Sequence, residues 1–217
     1  MALRINDTIP EMTVETDQGS INLHDWVGDG WAILFSHPKD FTPVCTTEFG
    51  AVAQLADEWE KRGTKVMGIS VDGVEEHKKW KGDIETFGGA KAGFPIIADD
   101  DLKVAKAFDM LPAEAYLPDG RTPNDSATVR AVFIIGPDKK LKLSMTYPMT
   151  VGRNFAEVLR ALDGLQMSSG KGVATPANWN VGDDVIIPAT LSDDDAKAKF
   201  GDFNKILPYL RTTKAPN

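Results

Sequence analysis

Trp31-Ala32-Ile33-Leu34-Phe35 is continuously apolar, the pattern of a strand buried on both faces. Phe49, Val52, Ala53, Ala56 and Trp59 then recur at helical spacing, and Arg62-Gly63 closes that helix with a cation and a C-cap glycine. Lys65 to Val71 predicts the next buried strand. Asp72 is placed to cap a helix over Val74 to Phe87. Before these, Met12 to Thr16 alternates, Asp17-Gln18-Gly19-Ser20 turns, and Ile21 to Leu23 returns, a small hairpin.

Further on, Phe94 to Ala98 is short and extended, and Asp99, Asp100 and Asp101 suit the positive start of a helix from Leu102 to Phe108. Leu111 to Asn124 is rich in Pro and Gly without a period, hence a loop. Val129 to Ile135 and Leu141 to Tyr147 flank the turn Gly136-Pro137-Asp138-Lys139 as paired strands. Asn154 caps a helix expected to end near Leu165. Strands alternating with helices predict an α/β fold with an antiparallel pair near the sheet edge. Composition shifts at Gln166 to Pro176, so the main domain is expected at 1–168 and a small appendage at 169–217. The appendage carries a strand at Val185 to Ile187 and a short helix capped by Ser192, and is too small to bury a core alone.

Charge and composition narrow the function classes. A net charge of −8 without a basic patch argues against nucleic acid as a partner. No apolar run approaches the roughly 20 residues of a membrane span, and Met1 to Pro10 lacks the basic and apolar segments of a signal peptide. One cysteine makes no internal disulfide, and a cytoplasmic protein is expected. One Cys and three His argue against a zinc or iron site, and no metal or cofactor is expected. Asp193 to Asp195 reads as helix-start charge, His24 and His77 as surface or packing residues, and Gly88-Gly89 as a helix end or turn.

The lone cysteine, Cys45, changes this picture. It follows the buried strand and opens a helix, in the run Ser36-His37-Pro38-Lys39-Asp40-Phe41-Thr42-Pro43-Val44-Cys45-Thr46-Thr47-Glu48-Phe49. An unperturbed thiol is only about 3% ionised at pH 7, and a helix N-terminus favours the thiolate, which is the nucleophile. Thr42, three positions earlier, brings a hydroxyl within reach of the sulfur or a bound oxygen. Pro38 and Pro43 stiffen the loop, and Pro38 is placed to shield the thiolate. His37 can supply a charge or a proton. Glu48, one turn after Cys45, repels a thiolate unless an arginine holds it; Arg130 and Arg153 are the candidates.

Pro38 to Cys45 resembles the peroxiredoxin signature of Pro, three residues, Thr, two residues, Cys. His37, Thr46-Thr47-Glu48, the block Ala131 to Ser144, Gly152-Arg153-Asn154-Phe155 and Val173 to Trp179 resemble its one-cysteine, peroxiredoxin-six-type subgroup. The resemblance spans nearly the whole chain. It implies a thioredoxin-like fold, a central mixed sheet flanked by helices, with a C-terminal extension for dimerisation or for covering the site. It also implies reduction of hydrogen peroxide and organic hydroperoxides through a sulfenic acid at Cys45. Thr42 and Arg130 would bind and polarise the peroxide, and Pro38 would shield the sulfenate. Glu48 with Arg153 would orient Arg130, and His37 would lie beside the sulfur.

Two departures shape the expectation. There is no second, resolving cysteine, so an external thiol (glutathione, thioredoxin or another) must regenerate Cys45. Some subgroup members carry a lipase-like serine where this chain has Gly30 in Gly28-Asp29-Gly30-Trp31-Ala32, so no phospholipase activity is expected by that route, although His24 and Asp138 match the other members of that triad. A homodimer, or a ring of such dimers, is implied, with the Leu141 to Tyr147 edge available for pairing across a two-fold axis. A peroxide sensor or relay acting on a partner protein, and an oligomeric holdase, are the alternative functions.

Overall fold

The apolar run forms the centre of a seven-stranded sheet in a computed structural model that describes residues 3–115 and 126–216. In chain order the strands are β1 (Thr13–Thr16), β2 (Gly19–Asn22), β3 (Trp31–Ser36), β4 (Thr64–Ser70), β5 (Ile96–Ala98), β6 (Arg130–Ile135) and β7 (Leu141–Tyr147). The sheet order is β2-β1-β5-β4-β3-β6-β7. β3, β4 and β5 run parallel, while β6 and β7 continue antiparallel to the edge, so the sheet is mixed. The helices of this part are α1 (Leu23–Val27), α2 (Pro43–Gln54), α3 (Ala56–Lys61), α4 (Val74–Gly88) and α5 (Lys103–Ala107).

The pleat of β3 sends its side chains into two cores. Ala32 and Leu34 join Met67, Ile69, Ala131 and Phe133, together with residues of α1 and α5, on one face. Phe35 points the other way, its ring 4.7 Å from that of Phe49 on α2. Phe49 lies so close to β4 that a Cβ at Gly68 would come within 2.8 Å of its ring. α2 and α4 approach as closely: a Cβ at Gly88 would stand 2.9 Å from the Gly50 Cα. These contacts fix α2, and with it Cys45, against the C-terminal ends of β3 and β4.

Several expectations need correction. The helix after Cys45 is two helices, broken at Leu55. Asp72 is not the cap of α4, which begins at Gly73 without a side-chain cap. Asp72 Oδ2 instead accepts from the Asp40 N–H and the Ser70 hydroxyl, at 2.9 and 2.8 Å. Asp99 does have the helix-start role expected of it, accepting from Val104 N and Ala105 N at 2.9 and 2.7 Å. Of the loop expected over 111–124, residues 113–115 form a 3₁₀ turn and residues from 116 onward lie outside the described residues.

The chain divides into two compact units, Met1–Arg153 and Asn154–Asn217, where the composition shift suggested 168/169. The second unit contains α6 (Phe155–Lys171), β8 (Val185–Ile187), α7 (Asp193–Phe200), β9 (Asn204–Leu207) and β10 (Leu210–Thr213). α6 runs past Leu165 because the Ser168 and Ser169 hydroxyls bond back to the Leu165 carbonyl, at 3.1 and 2.7 Å, inside the helix. Asn154 caps it through Ala156 N and Glu157 N. β8, β10 and β9 form a small sheet, in that order. Asp193 pairs with Lys205 and Arg211, the ordinary use of helix-start charge. Among the described residues, no helix is long and apolar enough to cross a membrane.

Candidate active site

α2 begins where the sequence allows it to. Thr42 is extended at the N-cap and Pro43 occupies the first turn, where its missing N–H costs nothing. Cys45 therefore sits in the first turn, among backbone N–H groups that have no intrahelical partner. The cysteine is fully buried, with 0% exposure. Phe41, just before the helix, has φ 54°, a left-handed conformation unusual for a bulky residue and costing of order 1–3 kcal/mol. Its neighbours hold it there: the Asp40 N–H bonds to Asp72, and the Thr42 hydroxyl donates to the Lys39 carbonyl at 2.8 Å.

The arginine at the start of β6 reaches the sulfur. Arg130 Nη1 lies 3.4 Å from Cys45 Sγ and 2.7 Å from Glu48 Oε2, while its Nε donates to the Met149 carbonyl at 2.7 Å. Arg153 holds the same carboxylate from the other side. Its backbone N and Nε donate to Glu48 Oε1 at 2.8 and 2.9 Å, and its Nη2 to Oε2 at 2.7 Å. Arg153 Nη1 closes the set on the Ala131 carbonyl at 2.8 Å, and its guanidinium lies over the Phe35 ring. Burial alone would raise the Glu48 carboxyl and lower Arg153, but the hydrogen bonds and charge of Arg153, then Arg130, bring Glu48 below its usual range. Two guanidiniums against one carboxylate leave one positive charge, and it stands at the sulfur.

The other candidate residues are placed differently. The Thr42 hydroxyl spends its proton on Lys39, leaving lone pairs free to accept. Pro38 is half-buried at the head of the loop. His37 makes no hydrogen bond to Cys45. Its Nε2 meets Asp40 Oδ1 at 2.6 Å, its ring stacks on Trp80 at 4.9 Å, and its Nδ1 is buried without a partner. Asp40 is held on its other oxygen by His77 Nδ1, also at 2.6 Å. Asp40 and His77 are the site-proximal residues that pattern reading missed. His77 is completely buried and bonded to Asp40, a packing residue and not a surface group, and no spacing rule connects two residues 37 positions apart.

His24 bonds to the Ile9 carbonyl and Asp138 to Lys142, and the Gly30 position has a Cβ-to-carbonyl clearance of only 3.1 Å from Gly63. Among the described residues, His37, Asp40 and Asp72 are the cluster whose donor atoms stand close enough, within 4.8 Å, to share an ion. His37 Nε2 and the carboxylate oxygens bond to one another, to His77, to Ser70 and to the Asp40 N–H, which leaves His37 Nδ1 as the unpartnered nitrogen of the set. The first turn of α2 also borders a shallow pocket of about 370 Å³ lined by Phe41, Thr42, Pro43, Thr46, Thr47, Asp83 and Phe87.

Residues 5–144 match the AhpC/TSA family, and residues 164–202 match the C-terminal domain of 1-Cys peroxiredoxin. The chain is 52% identical over 216 residues to the mitochondrial peroxiredoxin PRX1 of Saccharomyces cerevisiae, covering 98% of this chain and 81% of that protein. It is 48% identical over 224 residues to peroxiredoxin-6 of Gallus gallus, covering 99% and 98%. Among solved structures, a cysteine-to-serine mutant of the peroxiredoxin 6 of Arenicola marina superposes with a TM-score of 0.92 at 43% identity, over 100% of both chains. A yeast mitochondrial 1-Cys peroxiredoxin, described for its thiol resolving mechanism via glutathione/thioredoxin systems, gives 0.88 at 50% identity over 98% of this chain and 99% of that one.

Proposed function

The chain belongs to the AhpC/TSA family, in its one-cysteine peroxiredoxin branch, and from that premise we propose how its residues reduce a peroxide. It is a thiol peroxidase with a single cysteine, so Cys45 carries the reaction. The Cys45 thiolate attacks one peroxide oxygen: the S–O bond forms, the O–O bond breaks, and an alkoxide or hydroxide leaves and takes up a proton. Charge moves from sulfur to the departing oxygen. Arg130, at 3.4 Å from the sulfur, is the observation that carries this reading. Its guanidinium favours the thiolate first and the leaving oxygen afterwards. Thr42, with its proton committed to Lys39, accepts from the peroxide O–H. Glu48 and Arg153 orient Arg130, and Pro38 shields the sulfenic acid that results. His37 belongs to the same loop. The exposed Phe41 and Phe87 beside the helix start offer apolar contact to organic hydroperoxides.

Regeneration needs two equivalents of external thiol. The first displaces water from the sulfenic acid to give a mixed disulfide; the second releases Cys45 and the disulfide of the reductant. Glutathione or a thioredoxin suits this role, supported by the thiol-resolving systems for which the yeast relative is described. The buried sulfur implies that the loop opens for this step. The proposal includes a homodimer paired through the β7 edge. A single monomeric mass in sedimentation at micromolar concentration rejects it. It also includes a cytoplasmic location, which fractionation of the source cells tests.

The decisive experiment mixes reduced protein rapidly with one equivalent of hydrogen peroxide, following Trp fluorescence and then whole-protein mass. The expected result is a fast change and one added oxygen, trapped at Cys45 by a sulfenic-acid reagent. Cys45→Ser keeps the fold and loses both. Oxidation at the rate of a free small thiol, or activity retained in Cys45→Ser, defeats the proposal.

A further inference from the structure

Behind the peroxidatic loop runs a buried chain of three side chains that the chemistry above leaves unused: His77, Asp40 and His37, exposed by 0%, 1% and 0%. Their protons can be counted from their partners. His77 Nε2 lies 3.1 Å from the carbonyl oxygen of Ile97, which offers only lone pairs, so Nε2 carries a hydrogen. His77 Nδ1 lies 2.6 Å from Asp40 Oδ2. Burial would raise the Asp40 carboxyl, but hydrogen bonds from His37 and His77 outweigh it and hold the group at about 2, so it is ionised and also offers only lone pairs. His77 Nδ1 therefore carries a hydrogen as well, and the ring is an imidazolium.

The same logic puts a hydrogen on His37 Nε2, 2.6 Å from Asp40 Oδ1. A further hydrogen on His37 Nδ1 would point at nothing, because that atom is buried and has no partner. One imidazolium, one carboxylate and one neutral imidazole balance. His37 is thus the Nε2–H tautomer with a bare lone pair on Nδ1. Burial pushes its basicity down against the pull of Asp40, with His77 opposing and Asp72 assisting protonation.

The same atoms hold the loop. The His37 N–H donates to the Ile69 carbonyl and its carbonyl accepts from the Thr128 hydroxyl, at 3.0 and 2.8 Å. Trp80 stacks on the His37 ring and donates its indole N–H to Thr46, the residue after Cys45, at 3.1 Å. Asp40 immediately precedes Phe41, the left-handed residue at the entry to α2.

We infer that His77 and Asp40 are positioning residues for Cys45 oxidation: a buried imidazolium–carboxylate pair that fixes the tautomer of His37 and presents its Nδ1 as a free acceptor within the peroxidatic loop. Such an acceptor takes a hydrogen bond from an O–H or S–H group. The donors that the cycle brings are the thiol, the hydroperoxide and the sulfenic acid. The role rests on the peroxidase reading given above; the protonation pattern does not.

Two measurements separate them. Long-range nitrogen–proton NMR of the full-length, reduced protein with ¹⁵N-labelled histidine reads each ring directly, and a His24→Gln variant leaves only His37 and His77 to assign. Expected at neutral pH are two protonated nitrogens on His77, and on His37 one protonated Nε2 with an unprotonated Nδ1. A neutral His77, or a hydrogen on His37 Nδ1, overturns the inference. In Asp40→Asn one carboxylate oxygen becomes a donor, so His77 loses its second hydrogen and Cys45 oxidation slows by about tenfold, the scale known for outer partners that orient metal-bound histidines. An unchanged oxidation rate in that variant overturns the positioning role. Should Asp40→Asn not fold, His77→Gln carries the test through the rate of Cys45 oxidation alone, expected to fall and overturning the positioning role if unchanged. A wild type without fast Cys45 oxidation overturns the peroxidase reading and the positioning role together, while the nitrogen shifts still decide the protonation pattern.

Discussion

Two buried polar clusters flank the peroxidatic loop, and they are built to opposite rules. The arginine cluster, Glu48 with Arg130 and Arg153, uses both carboxylate oxygens and carries one excess positive charge to the sulfur. The histidine cluster, Asp40 with His37 and His77, is balanced in charge and leaves one nitrogen unpaired. Buried charge without a partner is costly, so each excess has to face something. In the first cluster the excess is a cation, and it meets the cysteine sulfur. In the second it is a lone pair, which asks for a hydrogen. One cluster favours the charge that attacks; the other fixes the loop from which the attack is made.

Removing Arg130 breaks the comparison most severely. Arg130→Met deletes the donor at the sulfur, while Glu48 keeps its bonds from Arg153, so the fold survives. Losing a donor of this kind costs about 10²–10³ in rate, or roughly 3–4 kcal/mol. Stopped-flow oxidation of Cys45 measures it, with a denaturant midpoint to verify folding. A variant within a few-fold of wild type would mean that the cation at 3.4 Å is packing and not chemistry.

How much of this was legible beforehand follows from what sequence spacing can encode. β3, β4 and β6 were visible because strands buried on both faces read as apolar runs, and the start of α2 because Pro43 and the Thr42-to-Cys45 spacing mark a helix beginning. Glu48 demanded an arginine by charge alone, and two answer it. The Asp40–His77 pair was invisible because it joins a loop to a helix across 37 residues and matches no local period. β9 was invisible for another reason: every residue in it is exposed, so it carries no alternation to read. The break at Leu55 and the length of α6 depend on hydrogen-bond choices at single residues, which composition does not record.

Acid sharpens the contrast by acting through Asp40. Its native carboxyl titrates at about 2, below the ordinary 3.8, so it adds stability that is complete above pH 4 and lost as pH falls toward 2. The size is about 2 kcal/mol. His37 works in the same direction: burial keeps it neutral, so the unfolded chain gains a proton first as pH drops below the usual histidine range. Glu48, also lowered, contributes in the carboxylate window. Wild type and Asp40→Asn compared by urea denaturation between pH 4 and pH 2, the window in which Asp40 itself titrates, isolate the Asp40 share. The variant should show the shallower acid slope, and equal slopes would remove the ion pair from the account.

Ser70→Ala is the mildest test and asks whether the histidine cluster divides into parts. The Ser70 hydroxyl lies 2.8 Å from Asp72 Oδ2 and 3.5 Å from Asp40 Oδ1, so its main bond goes to the strut and not to the pair. Its loss leaves Asp40 with both histidines and leaves Asp72 holding the Asp40 N–H. The substitution removes the bond donated to Asp72 and also the one accepted from the Asp72 N–H at 3.1 Å, with the carboxylate still partnered, a loss of about 2 kcal/mol. A denaturant midpoint should fall accordingly, and the rate of Cys45 oxidation should not change. A slower oxidation would show that Asp72 tunes the loop as much as His77 does, and the positioning role would then belong to the whole network around Asp40.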